Sequence, residues 1–300
     1  MFEFSIIIPT YGRSESLKRT LNSVEYQQFR NFECIVIDDN PKKSQLQLKN
    51  QQMLQSSFPT FKYLLNTNQK GACGARNSGI LHSNGRFLIF LDDDDELLPN
   101  HLTVVVNNCS KIDLIFTQCE IFEESKRIGV TNNIWKEDQD SLKQQIIIGV
   151  NSTSSLIIKR EKIESIGGWE EIIIGQENLL VTKLMLAGAR VKSLSDVTCR
   201  IYYGSDTRIS DKTNEINLKA FYQKLHEIIS LGRPDLVDLL RNKEKERRAL
   251  FANNVLVSFP LALALLWDNR DVKSIKFIVF SILPFKKKIV KFYSKRVLRN

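Results

Sequence analysis

A run of four aspartates at positions 92–95 is the clearest chemical signal in this 300-residue chain. Adjacent like charges repel each other, so such a run is costly unless a cation or basic side chains neutralise it. The run follows the apolar segment 87–91, which has the composition of a buried strand. Carboxylates at a strand end suit Mg²⁺ or Mn²⁺, which keep coordination positions for waters and substrate phosphates. The residues alone leave one alternative open, a solvated acidic turn before Pro99.

Two other segments place polar groups after apolar runs. Asp38 and Asp39 follow the run 32–37, and an acid there could accept hydrogen bonds from a nucleobase or a ribose, although paired acids also form turns. Segment 71–79 combines three glycines with Arg76 and Asn77 at a predicted helix start, where anions are favoured. Arg76 could pair with phosphate oxygens, but the spacing matches neither standard phosphate fingerprint.

Glu177 is the fourth candidate. It opens a predicted helix, 176–187, directly after the irregular stretch 169–175. An acid in the first turn of a helix gains from the helix dipole, so a capping role is one interpretation. The functional interpretation is a general base.

Apolar strand-like runs alternate with helix-like segments along the first hundred residues. The runs are 4–8, 32–37, 61–65 and 86–91, and Ser14 is the predicted N-cap of a helix that follows the first run. This alternation predicts an α/β fold with a mostly parallel, Rossmann-like sheet flanked by helices. Ligands bind at the carboxyl ends of such strands, so the polar groups after the first, second and fourth runs are expected to meet at one edge.

The composition separates a near-neutral body from a basic end. The net charge is +9, with fifteen Lys and Arg against four Asp and Glu in residues 241–300. Residues 211–300 are predicted to form a basic, apolar helical region that either packs on the body or lies on an anionic membrane surface. A slightly acidic body without a recognisable nucleic-acid module argues against nucleic acid as a partner. The odd number of widely spaced cysteines, five in all, and the strand-like N-terminus predict a cytoplasmic protein.

The combination of motifs resembles the family-2 glycosyltransferases of the GT-A fold, over residues 1 to about 210, the predicted catalytic domain. Each motif is modest, but the order and spacing are those of the family. The matching segments are Ser5-Ile-Ile-Ile-Pro-Thr-Tyr-Gly-Arg13, Ile35-Val-Ile-Asp-Asp-Asn40, Gly71 through Gly79, Gly85-Arg-Phe-Leu-Ile-Phe-Leu-Asp-Asp-Asp-Asp95 and Gly167-Gly-Trp-Glu-Glu171.

The resemblance implies a role for each matching residue. Asp94 would bind a Mn²⁺ or Mg²⁺ ion, and Asp92 the ribose or a metal-bound water. Asp39 would hold the base, a uracil in the family's usual pattern, and Arg76 would approach the diphosphate. The remaining donor-binding residues of the family pattern would be Pro9, Thr10, Tyr11, Arg13 and Asp93.

The position of the catalytic base is where this chain departs from the family. The family pattern has Glu-Asp at a helix start, and counting back from Gly188 places Gln176-Glu177 there. A shift of one residue would place Asn178 at the base position, and an asparagine cannot act as a base. In the late segment 200–210, Tyr202 or Tyr203 stands where the family often has a His. Arg208 could still reach the diphosphate. A purely structural strand and loop is an equally good interpretation of this segment.

The implied activity is inverting transfer of a sugar from a nucleotide-sugar donor, a UDP-sugar, to an acceptor hydroxyl. The acceptor would be a saccharide or a lipid-linked saccharide in bacterial surface-polysaccharide assembly (capsule, O-antigen or lipopolysaccharide). The enzyme would then be cytoplasmic, or peripheral on the inner face of the cytoplasmic membrane. The alternatives are a catalytically impaired nucleotide-sugar-binding protein and a nucleotidyltransferase, whose glycine-rich opening this chain lacks.

Overall fold

The structure, a computed structural model, describes residues 2–123, 125–132, 134–136, 139–150, 152–203 and 215–251. For residues 249–251 it describes the backbone alone. In these residues nine strands form one sheet, with helices on both faces. The strands are β1 (Phe4–Thr10), β2 (Phe32–Asp38), β3 (Lys62–Leu65), β4 (Phe87–Phe90), β5 (Glu96–Leu97), β6 (Leu114–Glu123), β7 (Lys126–Val130), β8 (Leu156–Lys159) and β9 (Val191–Tyr203). The helices are α1 (Ser14–Glu25), α2 (Gln45–Ser57), α3 (Ala72–Leu81), α4 (His101–Asn108), α5 (Ser141–Ile148), α6 (Arg160–Ser165), α7 (Gln176–Leu186), α8 (Glu215–Gly232) and α9 (Val237–Phe251).

The sheet has the order β3-β2-β1-β4-β8-β6-β9-β5, and β7 pairs with β6. The first four strands are parallel, as the alternating sequence predicts. The second half is mixed: β8 runs antiparallel to β4 and β6, whereas β6 and β9 are parallel. The α/β prediction is therefore confirmed, and the antiparallel pairings belong to the half of the sheet where strands no longer alternate regularly with helices.

The strands have two buried faces because their side chains alternate with a period of two. In β1, Ile6 and Ile8 join the apolar core on one face of the sheet, and Ile7 joins the core on the other. All three are fully buried. This two-sided burial explains why the strands read as continuous apolar runs, and it leaves the strand ends as the place where polar side chains can emerge.

Helix α1 begins one residue earlier than its sequence signal predicts. Ser14 is the first helical residue, and Arg13 occupies the N-cap position without a side-chain cap hydrogen bond. The Arg13 guanidinium instead reaches the acidic run, where it lies 2.6 Å from Asp94. The Arg13 side chain therefore serves the acidic run and does not cap the helix.

Helices α8 and α9 pack on the body through a third apolar cluster. Leu218, Tyr222 and Leu225 of α8 meet Leu142 of α5 and Leu179 of α7 in this cluster. An ion pair of 2.7 Å between Arg233 and Asp140 adds to the contact. The packing interpretation therefore applies to residues 215–251, while residues 252–300 lie outside the described structure. In the described part of the chain, no helix is both long and apolar enough to cross a bilayer.

Candidate active site

The acidic run begins where β4 ends, and its four carboxylates have different sets of partners, with Arg13 shared by Asp93 and Asp94. Leu91 continues the sheet through a hydrogen bond to Ile7, which places Asp92 and Asp94 at the carboxyl edge. Asp95 turns inward, where it accepts a hydrogen bond of 2.7 Å from the Ser154 hydroxyl. The run is therefore neither a uniform acidic turn nor a set of equivalent ligands.

Asp93 is built into the wall of the site. Its two carboxylate oxygens accept hydrogen bonds from the Thr10 hydroxyl at 2.7 Å and from Arg13 at 3.3 Å. Burial raises the pKa of Asp93 to about 7, although Thr10 and Arg13 both favour its charged form. Thr10 and Arg13 already occupy both oxygens of Asp93 with hydrogen bonds, and Thr10 is itself buried. Direct contacts of Asp93 and Thr10 with a nucleotide sugar therefore stay predictions.

Arg76 connects the acidic run to helix α7. Its Nη2 group donates to Asp92 at 2.7 Å, and its Nη1 group donates to the Gln176 side chain at 2.8 Å. The guanidinium carbon lies 4.6 Å from the centre of the Trp169 ring. The side chain is only 4% exposed, and its Nε has no described hydrogen-bond partner. Arg76 thus orients Asp92, and an additional contact with a diphosphate stays a prediction.

Asp39 lies at the end of β2, next to the loop that precedes α3. Its carboxylate accepts hydrogen bonds from the Asn66 side chain at 2.7 Å and from the Gly71 amide at 2.9 Å. Gly71 has a φ of +121°, a backbone conformation that is strained for any residue with a side chain. Asp38, by contrast, is buried under Asn40, Asn50 and Tyr63. Asp39 is therefore the acid of this pair that faces the site.

Tyr11 supplies an exposed aromatic surface beside Asp39. Its side chain is 54% exposed, and the Lys70 ammonium lies 5.1 Å from its ring centre. Pro9 and Gly12 line the same region. An exposed ring, a cation and an oriented carboxylate form a combination that can stack on and hydrogen-bond a nucleobase.

Glu177 stands in the first turn of α7 and lines the same cleft as the aspartates. Its surroundings raise the pKa of its carboxyl group above the usual value: burial is the largest cause, the Asp92 charge adds to it, and the Arg76 charge opposes it. The neighbouring Asn178 uses its Oδ1 to accept from Gln145 and from the Val150 amide, both at 3.1 Å. Glu177 is therefore the acid presented to the cleft, whereas Asn178 ties α7 to α5 and its following loop.

One cleft of about 1200 Å³ collects these residues. The predicted site residues that line it are Pro9, Thr10, Tyr11, Arg13, Asp39, Arg76, Asp92, Asp93, Asp94 and Glu177. The strand ends of β1, β2 and β4 form one half, and α5, α7, α8 and α9 with their loops form the other. We call these the strand half and the helix half.

The residues of the strand half fit a divalent cation held mainly by substrate phosphates. Within the described residues, no group of three or more His, Cys, Asp or Glu converges on a metal position. Asp94 already lies 2.6 Å from the Arg13 guanidinium. Mg²⁺ in nucleotide sites commonly takes one or two carboxylates together with phosphate oxygens and water. The Asp92 and Asp94 carboxylates, 32% and 13% exposed, can supply such a ligand.

The contacts by which several residues shape the site were not predicted from the sequence. Gln176 anchors Arg76, and Asn66 orients Asp39. Asn77 makes two hydrogen bonds of 2.8 Å to the backbone of Trp169, which holds that ring against Arg76. Their positions next to recognised motifs are a signal, but their partners lie far away in the sequence. Arg208 lies outside the described residues.

The family model "Glycosyl transferase family 2" matches residues 5–167. The chain belongs to glycosyl transferase family 2. The match spans the acidic run, Asp39 and Arg76, and it ends before Glu177. Family membership is thus established by the strand half, and the assignment of Glu177 rests on its position in the cleft.

This family-2 chain is similar to curated and solved members of the family. It is 36% identical over 126 residues to the GalNAc(5)-diNAcBac-PP-undecaprenol beta-1,3-glucosyltransferase of Campylobacter jejuni, a match covering 41% of this chain and 40% of that protein. The chain thus spans less than half the length of that curated relative.

Solved structures share the GT-A fold. Staphylococcus aureus TarS 1-349 in complex with UDP-GlcNAc has a TM-score of 0.68 and 19% identity, covering 99% of this chain and 90% of that one. Mannosyltransferase PcManGT from Pyrobaculum calidifontis, in complex with GDP-Man and Mn²⁺, has a TM-score of 0.63 and 15% identity, covering 99% and 84%. At these identities the likeness establishes the fold alone.

Proposed function

We propose that this family-2 member is an inverting glycosyltransferase that moves a sugar from a UDP-sugar to an acceptor hydroxyl. One observation carries the proposal. A single cleft has the oriented aspartates 92 and 94 in its strand half and one acid with a raised pKa, Glu177, in its helix half. Carboxylates that can hold a cation and a general base in one cleft suit sugar transfer from a nucleoside diphosphate.

The strand half is proposed to hold the donor. Asp39 and Tyr11 would bind the base, and Asp92 the ribose or a metal-bound water. Asp94 would hold Mn²⁺ or Mg²⁺, which when bound supplies positive charge to the departing diphosphate. Support comes from the TarS structure, which contains UDP-GlcNAc, and from the mannosyltransferase structure, which contains Mn²⁺.

Glu177 is proposed to take the proton of the acceptor hydroxyl. The hydroxyl oxygen forms a bond to the anomeric carbon while the bond from that carbon to the diphosphate oxygen breaks on the opposite face. The nucleoside diphosphate leaves with that electron pair, and the proton stays on Glu177. A single displacement of this kind inverts the anomeric configuration.

The acceptor is proposed to be a saccharide carried on a lipid, in bacterial surface-polysaccharide assembly. The name of the Campylobacter relative includes an undecaprenol diphosphate, which supports this acceptor class. The protein would then work at the inner face of the cytoplasmic membrane, with the basic region 252–300 as a candidate contact to anionic lipid.

A donor screen tests the proposal. The purified protein is incubated with a panel of nucleotide sugars, with and without Mn²⁺, and release of nucleoside diphosphate is measured. We expect release from a UDP-sugar that depends on the cation. Release of inorganic diphosphate instead would support the nucleotidyltransferase alternative, and tight UDP-sugar binding without turnover on any acceptor would support the impaired-binder alternative.

The structure offers no support for the impaired-binder alternative at residue 178. That alternative depends on Asn178 standing at the base position, and its carboxamide oxygen is engaged by Gln145 and the Val150 amide. Glu177 and Asn178 both line the cleft, and the Asn178 amide donates a hydrogen bond of 3.3 Å to the Glu177 carboxylate. The position of the acid therefore favours a competent base.

A further inference from the structure

The helix half of the cleft combines apolar and cationic groups that the donor does not use. Three isoleucines line it while remaining well exposed: Ile147 at 45%, Ile148 at 37% and Ile173 at 49%. Exposed β-branched residues gathered at one cleft mark a surface that a ligand covers. Lys243 and Arg247 of α9 line the same cleft.

These two cations are available to an anion to different degrees. Lys243 shares its charge with Glu246, 3.0 Å away on the same helix. Arg247 is exposed and makes no ion pair with any residue in the described part of the chain. Among the described residues of the helix half that line the cleft, which run from Gln145 to Arg247, Glu177 is the one acid. The charge of this half is therefore positive, apart from the base itself.

Contacts through α8 connect these groups to the base. The Phe221 ring packs so closely on Gly175 that a Cβ there would come within 2.5 Å of it, and Gly175 directly precedes Gln176 and Glu177. The adjacent Tyr222 donates a hydrogen bond of 3.4 Å to the Lys243 carbonyl. A chain of contacts thus joins the base to α9 through α8.

We propose that the helix half binds the phosphate-bearing carrier of the acceptor, with Arg247 and Lys243 contacting an isoprenoid diphosphate and the three isoleucines contacting its hydrocarbon chain. This rests on the proposed function, because it assigns the acceptor side from the role of Glu177. A polyol phosphate would use the same two cations. The isoleucines favour a lipid carrier over a polyol phosphate, because a polar carrier would leave them facing water.

Binding of farnesyl diphosphate tests the proposal on the full chain, with inorganic diphosphate as the lipid-free probe. Both are titrated with and without saturating UDP, so that the donor position can be filled. We expect farnesyl diphosphate to bind at least tenfold more tightly than inorganic diphosphate, on the order of the free energy of covering these isoleucines. Equal affinity for the two probes would overturn the lipid assignment in favour of a lipid-free phosphate.

Substitutions on α9 provide a matched comparison. Arg247→Gln should weaken farnesyl diphosphate binding about tenfold, the usual loss for one hydrogen bond to a charged group. Arg241→Gln is the control, because Arg241 is an exposed residue of the same helix that pairs with Asp238 and does not line the cleft. Equal affinity of these two variants would overturn the proposal.

The apolar part has its own pair of variants. Ile173→Ser should weaken farnesyl diphosphate binding and leave inorganic diphosphate unchanged, whereas Ile216→Ser, at a 79% exposed position of α8 outside the cleft lining, should change neither. No effect of Ile173→Ser would overturn the hydrocarbon contact. UDP binding is measured in every variant to separate the proposed function from the proposed carrier site. No UDP binding by the unsubstituted protein would contradict the proposed function. Intact UDP binding together with unaltered binding of both probes would contradict the carrier site alone.

Discussion

The Nη2 group of Arg76 lies 2.7 Å from Oδ1 of Asp92. Through its other terminal nitrogen, 2.8 Å from the Gln176 side chain, the same guanidinium reaches the start of α7. One buried cation therefore links the acid that begins the aspartate run to the helix that carries Glu177. This coupling makes the protonation of Glu177 depend on residues in both halves of the cleft.

Replacing Glu177 with Gln should abolish most turnover without preventing donor binding. Loss of a general base typically costs about 10² to 10⁴ in rate, and Gln preserves the size of the side chain. The measurements are turnover on the donor found by the screen and UDP affinity by calorimetry. Glu164→Gln, at a partly exposed position on α6, is the control. Equal turnover of the two variants would disprove the assignment of the base.

The pH dependence of activity should respond in opposite directions to two substitutions near Glu177. Since a base must be deprotonated, kcat/KM should fall as the pH falls through the raised pKa of Glu177. Arg76→Gln removes a charge that lowers this pKa, so the acid limb should move to higher pH. Asp92→Asn removes a charge that raises it, so the acid limb should move to lower pH.

These shifts are measured as pH profiles of kcat/KM for both variants. Arg76→Lys keeps the positive charge and is the control, with an acid limb closer to that of the unsubstituted protein. Shifts in the same direction for Arg76→Gln and Asp92→Asn would show that a group other than Glu177 governs the profile.

Asn77→Ala should destabilise the fold and release Trp169. The substitution leaves the amide and the carbonyl of a buried residue without the two 2.8 Å hydrogen bonds that Asn77 makes. Unpaired buried groups of this kind cost about 1–3 kcal/mol each. Urea unfolding followed by tryptophan fluorescence measures the loss. Asn100→Ala, at an exposed position whose side chain makes no cap hydrogen bond, should change stability little, and equal effects would contradict the role of Asn77.

Gly79→Ala should destabilise the contact between α3 and β1. A Cβ at this position would lie 2.2 Å from the Cγ2 atom of Ile7, a fully buried side chain that cannot move away freely. Overpacking of this kind costs about 1–3 kcal/mol. Gly129→Ala is the control, because no heavy atom lies within 4 Å of its added Cβ. The urea midpoints of the two variants should differ clearly, and similar midpoints would contradict the close approach.

The strand runs and the polar residues that follow them could be predicted because both depend on local patterns. Continuous burial of β2 and β4 on both faces produces apolar runs, and the places where those runs stop mark the edge that carries Asp39 and Asp92. The antiparallel pairings of β8 could not be predicted in this way. They depend on which strands meet in the second half of the sheet, and no local period encodes that choice.

The sequence by itself determined the family, the α/β class and the set of chemically capable residues, because motif order and side-chain chemistry are properties of the chain. Only the tertiary structure decided what each member of the acidic run does. Asp93 is used by Thr10 and Arg13, Asp95 by Ser154, and Asp92 by Arg76. These partners are 16 to 83 positions away in the sequence. Four identical side chains in a row differ in role because the packing of the sheet and its helices gives each a different set of distant partners, with Arg13 shared by Asp93 and Asp94.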